Sequence, residues 1–106
     1  MADFMGMMGK MQELQGRMQK MQAELEATEV TGSAGGGLVS VILSAKGTLK
    51  KISIDASLMK PTEKEIVEDL IAAAHADART KAERAMEEKM RELTGGLPLP
   101  PGLKLF

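Results

Sequence analysis

From Thr62 to Thr94 the chain contains neither proline nor glycine. Ile66, Leu70, Ala73, Ala74, Ala78, Ala82, Ala85, Met86, Met90 and Leu93 recur along it at helical spacing. As one helix this run is roughly 50 Å long at 1.5 Å per residue. A compact globule of this chain's size has a diameter of about 35 Å. The far end of such a helix must therefore project, bend or pair with another chain. Its start is marked by Thr62-Glu63-Lys64-Glu65, a capping-box pattern with Thr62 as N-cap and Glu65 reaching back. Its stop is Gly95-Gly96. Glu63, Glu65, Glu68 and Asp69 crowd the first turns, where the helix dipole favours them. Bulky Ile66, Val67, Leu70 and Ile71 are expected to pack on a sheet. The later alanines offer a shallow face suited to another helix, and a bend is admissible near His75–Arg79.

The N-terminal stretch repeats the problem on a smaller scale. Met7, Met11, Leu14, Met18, Met21 and Leu25 follow at spacings of four, three, four, three and four, which is a heptad seam. The helix is expected over about 7–27, firm from Met8 or Lys10 because Gly6 and Gly9 weaken the first turns. Gly16 falls outside the seam. Such a seam serves either a second chain or the helix's own sheet.

Between the helices lie three expected strands, at about 28–33, 37–45 and 48–55. Val39, Val41 and Leu43 alternate with Ser40, Ile42 and Ser44, and Ile52 and Ile54 alternate with Lys51, Ser53 and Asp55. That period of two marks half-buried strands. If Lys46-Gly47 is a two-residue turn, Ala45 faces Thr48, Val41 faces Ile52 and Val39 faces Ile54. Lys46 is a poor first residue for such a turn, so a three- or four-residue loop competes. Gly32–Gly37 is read as a turn. It precedes a strand, whereas phosphate loops follow one and open a helix, so it is not a phosphate cradle. The tail, 95–106, carries Pro98, Pro100 and Pro101 and reads as extended chain with apolar side chains that pack back on a groove. The whole is a single domain, 1–106.

Composition sharpens the argument. The only aromatics are Phe4 and Phe106, so the core must be aliphatic and methionine-built. Such a core is thin for a solitary domain. Thin core and long helices together predict a homodimer with protruding helical arms. There is no cysteine and one histidine, His75, which is read as a partly buried structural residue. No pocket signature brackets a carboxylate pair, so catalysis is not expected, nor is a small-molecule substrate. No apolar run approaches membrane-spanning length. Thioethers such as Met5, Met7, Met8 and Met11 suit Cu(I), but seam packing is their far commoner use; no metal or cofactor is expected.

The formal charge is −1, so any nucleic-acid contact must come from local patches. Lys10 and Arg17 share a face beside the methionine seam, with Lys20 nearby. Arg79, Lys81, Arg84, Lys89 and Arg91 follow in the second helix. Asp77, Glu83, Glu87, Glu88 and Glu92 match that second set, so charge alone favours a balanced surface over phosphate binding.

Several pieces change this weighting. They are the Met/Gln-rich opening helix, Glu29-Val30-Thr31-Gly32, Gly36-Gly37-Leu38-Val39-Ser40-Val41, Gly47, and Ile52-Ser53-Ile54-Asp55. Glu68-Asp69-Leu70-Ile71-Ala72-Ala73-Ala74 with Asp77-Ala78, Met90, Leu93-Thr94-Gly95-Gly96 and Leu99-Pro100-Pro101-Gly102 complete the set. In order and spacing the chain resembles the YbaB/EbfC family of bacterial nucleoid-associated proteins over nearly its whole length. The resemblance implies a small α+β protomer: an antiparallel sheet of about three strands between a long N-terminal and a long C-terminal helix. It further implies a homodimer formed through the sheet region, with arms held apart like tweezers. Binding of double-stranded DNA in the cytoplasm and nucleoid, roles in nucleoid organisation and gene regulation, and no enzymatic activity or cofactor follow from it too. It names no contact residue; Lys10, Arg17, Lys20, Arg79, Lys81, Arg84, Lys89 and Arg91 are the candidates from charge and arm position. The rival expectation is a helical protein–protein interaction module that uses the Met-rich coiled-coil seam without DNA.

Overall fold

The computed structural model describes residues 2–93, with side chains from Phe4 to Leu93; the stop at Gly95-Gly96 and the tail lie outside the described residues. Helix α1 spans Ala2–Ala27. Strands β1 (Glu29–Ala34), β2 (Val39–Ser44) and β3 (Leu49–Ile54) follow. Two 3₁₀ turns, Ala56–Leu58 and Pro61–Glu63, lead into helix α2, Lys64–Leu93. The strands form one antiparallel sheet in the order β1-β2-β3, so the architecture is α+β.

The core is built by alternation. Val39, Val41 and Leu43 of β2 are fully buried against Ala74 and Ala78 of α2, with Leu58 at the edge. Val67, Leu70 and Ile71 pack around them, but Ile66 is exposed. Ala74 and Ala78 thus face strands, where a shallow face against another helix was expected; Ala85, farther along α2, does meet α1 at Met21 and Leu25. Gly32 of β1 shows why. A Cβ there would lie 2.2 Å from the Ala78 backbone nitrogen and 2.3 Å from the Ala74 carbonyl oxygen. Strand and helix backbones are in direct contact, which only glycine opposite alanine permits. His75 is exposed, correcting the expectation of partial burial: it lies on the flank of α2, turned about 100° from buried Ala74.

Local details differ from the sequence expectations in three places. The β2–β3 connection is not the two-residue turn but its competitor, a three-residue loop closed by the Ser44–Thr48 pair. Ser44 N donates to Thr48 O at 2.8 Å and Gly47 N to Ser44 O at 2.8 Å, with Gly47 at φ +97°. A bulge then shifts the register, so that Leu43 faces Leu49 while Val41 still faces Ile52 and Val39 faces Ile54. Loop and bulge compensate, which keeps the apolar side chains on one face. Thr62 and Glu65 make no capping box. Pro61 opens a 3₁₀ turn after Lys60, which makes no side-chain cap bond, and the α-helix starts only at Lys64. Proline fits a first helical position because its missing N–H would have no partner there. Finally, α1 is helical from Ala2, through Gly6 and Gly9, which lie on open faces with nothing within 4 Å.

The main core is aliphatic, and methionine builds only the second, smaller cluster. Of the α1 seam only Met21 and Leu25 are buried, in a second small cluster with Ala45, against Ala85, Met86, Met90 and Leu93 of α2. The methionines of the first turns are exposed.

Candidate nucleic-acid interface

Leu25 begins the junction that aims α1. Ala45 N donates to the carbonyls of Leu25 (3.1 Å) and Thr28 (2.9 Å). Glu26 accepts from the hydroxyls of Ser44 (3.2 Å) and Thr48 (3.1 Å) and pairs with Lys50 at 2.9 Å. The Lys50 hydrogen bond, helped by those hydroxyls and opposed by desolvation, holds the Glu26 carboxyl below its ordinary value. Ser44, itself fully buried, accepts from the backbone nitrogens of Lys46 and Thr48. The root of α1 is therefore bolted to the β2–β3 loop.

From that root α1 and α2 leave the sheet side by side and antiparallel. Lys89 of α2 bridges to Glu24 of α1 at 3.2 Å and to Glu92 at 3.6 Å. These carboxylates, Glu24 first, raise the Lys89 pKa. Leu93 reaches a shallow cleft of about 280 Å³ lined by Arg17, Lys20, Met21, Glu24, Lys89 and Glu92. Beyond it α1 continues with no other element beside it among the described residues. The molecule measures 72 × 24 × 16 Å with a radius of gyration of 19.4 Å, against about 13 Å for a compact chain of this size. One protomer thus carries one arm, double at its base and single at its tip; a pair of arms needs two protomers.

The candidate cations separate into classes on this frame. Lys89 is committed to the bridge between helices. Lys81 donates to the Thr31 carbonyl at 2.9 Å and pairs with Asp77 at 3.2 Å. Asp77 in turn accepts from the Ser33 backbone nitrogen at 3.1 Å, the main cause of its lowered pKa. These two residues satisfy backbone groups of β1 and fasten α2 to it. Arg79 pairs with Glu83 and Arg17 with Glu13, both within one helix and both exposed. Such pairs are worth little in water and open readily to a phosphate. Lys10, Lys20 and Arg84 make no ion pair among the described residues, and all three are exposed. Lys10, Arg17 and Lys20 stand on α1 and Arg84 on α2, so the arm gathers four accessible cations. Arg91 is exposed near the end of α2. The bridging of Lys89 and Lys81 was not visible in the sequence, because it joins residues 65 and 50 positions apart.

Among the described residues no group of acidic, histidine or cysteine side chains is placed to hold a metal ion, and no helix is long and apolar enough to cross a membrane.

Comparison with known proteins agrees with this frame. A nucleoid-associated protein of Rhodopseudomonas palustris is 61% identical over 105 residues, covering 99% of each chain. One of Agrobacterium fabrum is 58% identical, covering 99% of this chain and 98% of its own. The crystal structure of an uncharacterized Helicobacter pylori protein superposes with a TM-score of 0.66 at 26% identity, covering 84% of this chain and 89% of its own. The model of the YbaB/EbfC DNA-binding family matches residues 1–97. By this match, and by identity along almost its entire length to nucleoid-associated proteins, the chain belongs to the YbaB/EbfC DNA-binding family.

Proposed function

We propose that this chain binds double-stranded DNA in the bacterial nucleoid as a homodimer whose two arms straddle the duplex, serving nucleoid organisation and gene regulation. The observation that carries the reading is the projecting arm itself. α1 extends past Leu93 of α2 with Lys10, Arg17 and Lys20 tied to no other element among the described residues. Phosphate contacts by these residues and Arg84, with Arg79 and Arg91 as further candidates, position a protein on DNA without reading its sequence. Lys81 and Lys89 have structural duties first.

Pairing of two protomers is supported by an asymmetry of the sheet. The backbone of β1 is capped by Asp77 and Lys81. Among the described residues β3 has β2 on one side and no strand on the other. Ile52 and Leu49 lie on the α2 side of the sheet, opposite buried Val41 and Leu43, yet they are 41% and 51% exposed. A second copy at β3 would cover them and set the two arms a fixed distance apart.

Gel-shift titration of generic duplex across a salt series tests the reading. Binding should fall steeply with salt. Charge reversal at Lys10 and Arg17 (K10E, R17E) should weaken it at every sequence and reduce the salt slope by about one for each phosphate that is no longer neutralised, with the dimer intact. No binding even at low salt would sink the proposal and restore the rival interaction module, to which the family match lends no support.

A further inference from the structure

Among the described residues nothing covers the outer half of the α1 seam. Phe4, Met7, Met11 and Leu14, at 66%, 63%, 62% and 48% exposure, form one stripe by helical spacing, continuous with buried Met21 and Leu25. A contiguous apolar stripe of this kind marks a contact surface. The structure names what covers its inner half: the last turns of α2, ending at Leu93 beside Arg17 and Met21. Because α2 runs antiparallel to α1 here, the C-terminal end of α2 points along the stripe toward Phe4.

We propose that residues 95–106 dock along this stripe, prolonging the cover that α2 begins. The reach is sufficient. Thirteen residues follow Leu93, about 40 Å of extended chain at 3.1 Å per residue. From Arg17 back to Phe4, α1 covers only about 20 Å. The chemistry also fits. Pro98, Pro100 and Pro101 keep the segment from extending α2 as helix, and Leu97, Leu99, Leu103 and Phe106 supply apolar side chains. Methionine thioethers adapt to such an irregular partner. Attachment to Leu93 gives the segment an effective concentration in the millimolar range, ahead of a separate chain. The proposal is independent of DNA, and its test contains none.

The full-length protein is treated with dilute hydrogen peroxide, and sulfoxide at each methionine is followed by mass spectrometry. Met5 lies off the stripe, is 78% exposed and serves as the internal standard. Docking predicts that Met7 and Met11 oxidise roughly fivefold more slowly than Met5, the protection about 1 kcal/mol of docking gives. In a full-length variant with Leu97→Ser, Leu99→Ser, Leu103→Ser and Phe106→Ser the three rates should converge. Equal rates in the unmodified protein would overturn the proposal. So would protection that survives in the variant, which would assign the stripe to a second copy. The chain has no tryptophan, so Leu99→Trp gives a single reporter. Its emission should be blue-shifted and should move to the red when Met7→Glu and Met11→Glu are added; water-like emission from the outset would also overturn it.

Discussion

Gly32 is the residue on which the packing of α2 depends. Its missing side chain leaves room for the backbone of Ala74 and Ala78, and neither neighbour can give way as a flexible side chain does. Gly32→Ala is therefore expected to cost about 3 kcal/mol, at the upper end of ordinary overpacking. Urea denaturation should show it as a lower midpoint. Beside Asp55, whose carboxyl Ser57 holds low within its own turn, Glu26 and Asp77 link the pH dependence to contacts between elements. Both carboxyls titrate below their ordinary values in the fold. Their stabilisation is thus fully present above those ordinary values, 4.5 and 3.8, and is lost as pH falls through the depressed ones. Glu26→Gln should lower stability at neutral pH and flatten its decline in acid, as followed by thermal melts over a pH series. An unchanged acid limb would mean that the junction with Ser44, Thr48 and Lys50 does not carry it.

At the scale of elements, α1 and α2 differ in what holds them helical. α2 is clamped along its middle by Ala74, Ala78 and Ala82, which are buried. The outer half of α1 rests on propensity and on whatever covers its stripe. Gly6, Gly9 and Gly16 all face open space. Replacing Gly9 and Gly16 with Ala should therefore favour the helix by about 1 kcal/mol each. Circular dichroism should show more helix, with no clash to offset it. Among the strands, β2 is central. Leu43→Ala removes a fully buried side chain and should cost about 3 kcal/mol, again read from urea midpoints.

For the whole molecule the decisive quantity is elongation. The body is 72 Å long and 16 Å thick at its thinnest, and exposed Leu49 and Ile52 of β3 are where the proposed second protomer would sit. Ile52→Asp together with Leu49→Asp should convert the proposed dimer to monomer in sedimentation and weaken duplex binding in parallel. Persistence of a dimer would place the interface elsewhere. Loss of the dimer with unchanged DNA affinity would show that one arm suffices.

The kinds of elements, and much of the sheet register, were already legible in the order of the residues. The breaker-free run marked α2, and the period-two alternation marked the strands. Val39 and Val41 found Ile54 and Ile52 because a slip would turn every apolar side chain outward. These are local patterns, readable along the chain. The remainder came only with folding in three dimensions. Folding set Ala74 and Ala78 against a strand and left Ala85 to meet α1, since the fit of the first two depends on Gly32 forty-odd positions away. It tied Lys81 and Lys89 to distant partners and left Lys10 and Lys20 open. A cation's availability depends on what the fold brings within reach of it, and no spacing in one dimension records that distance.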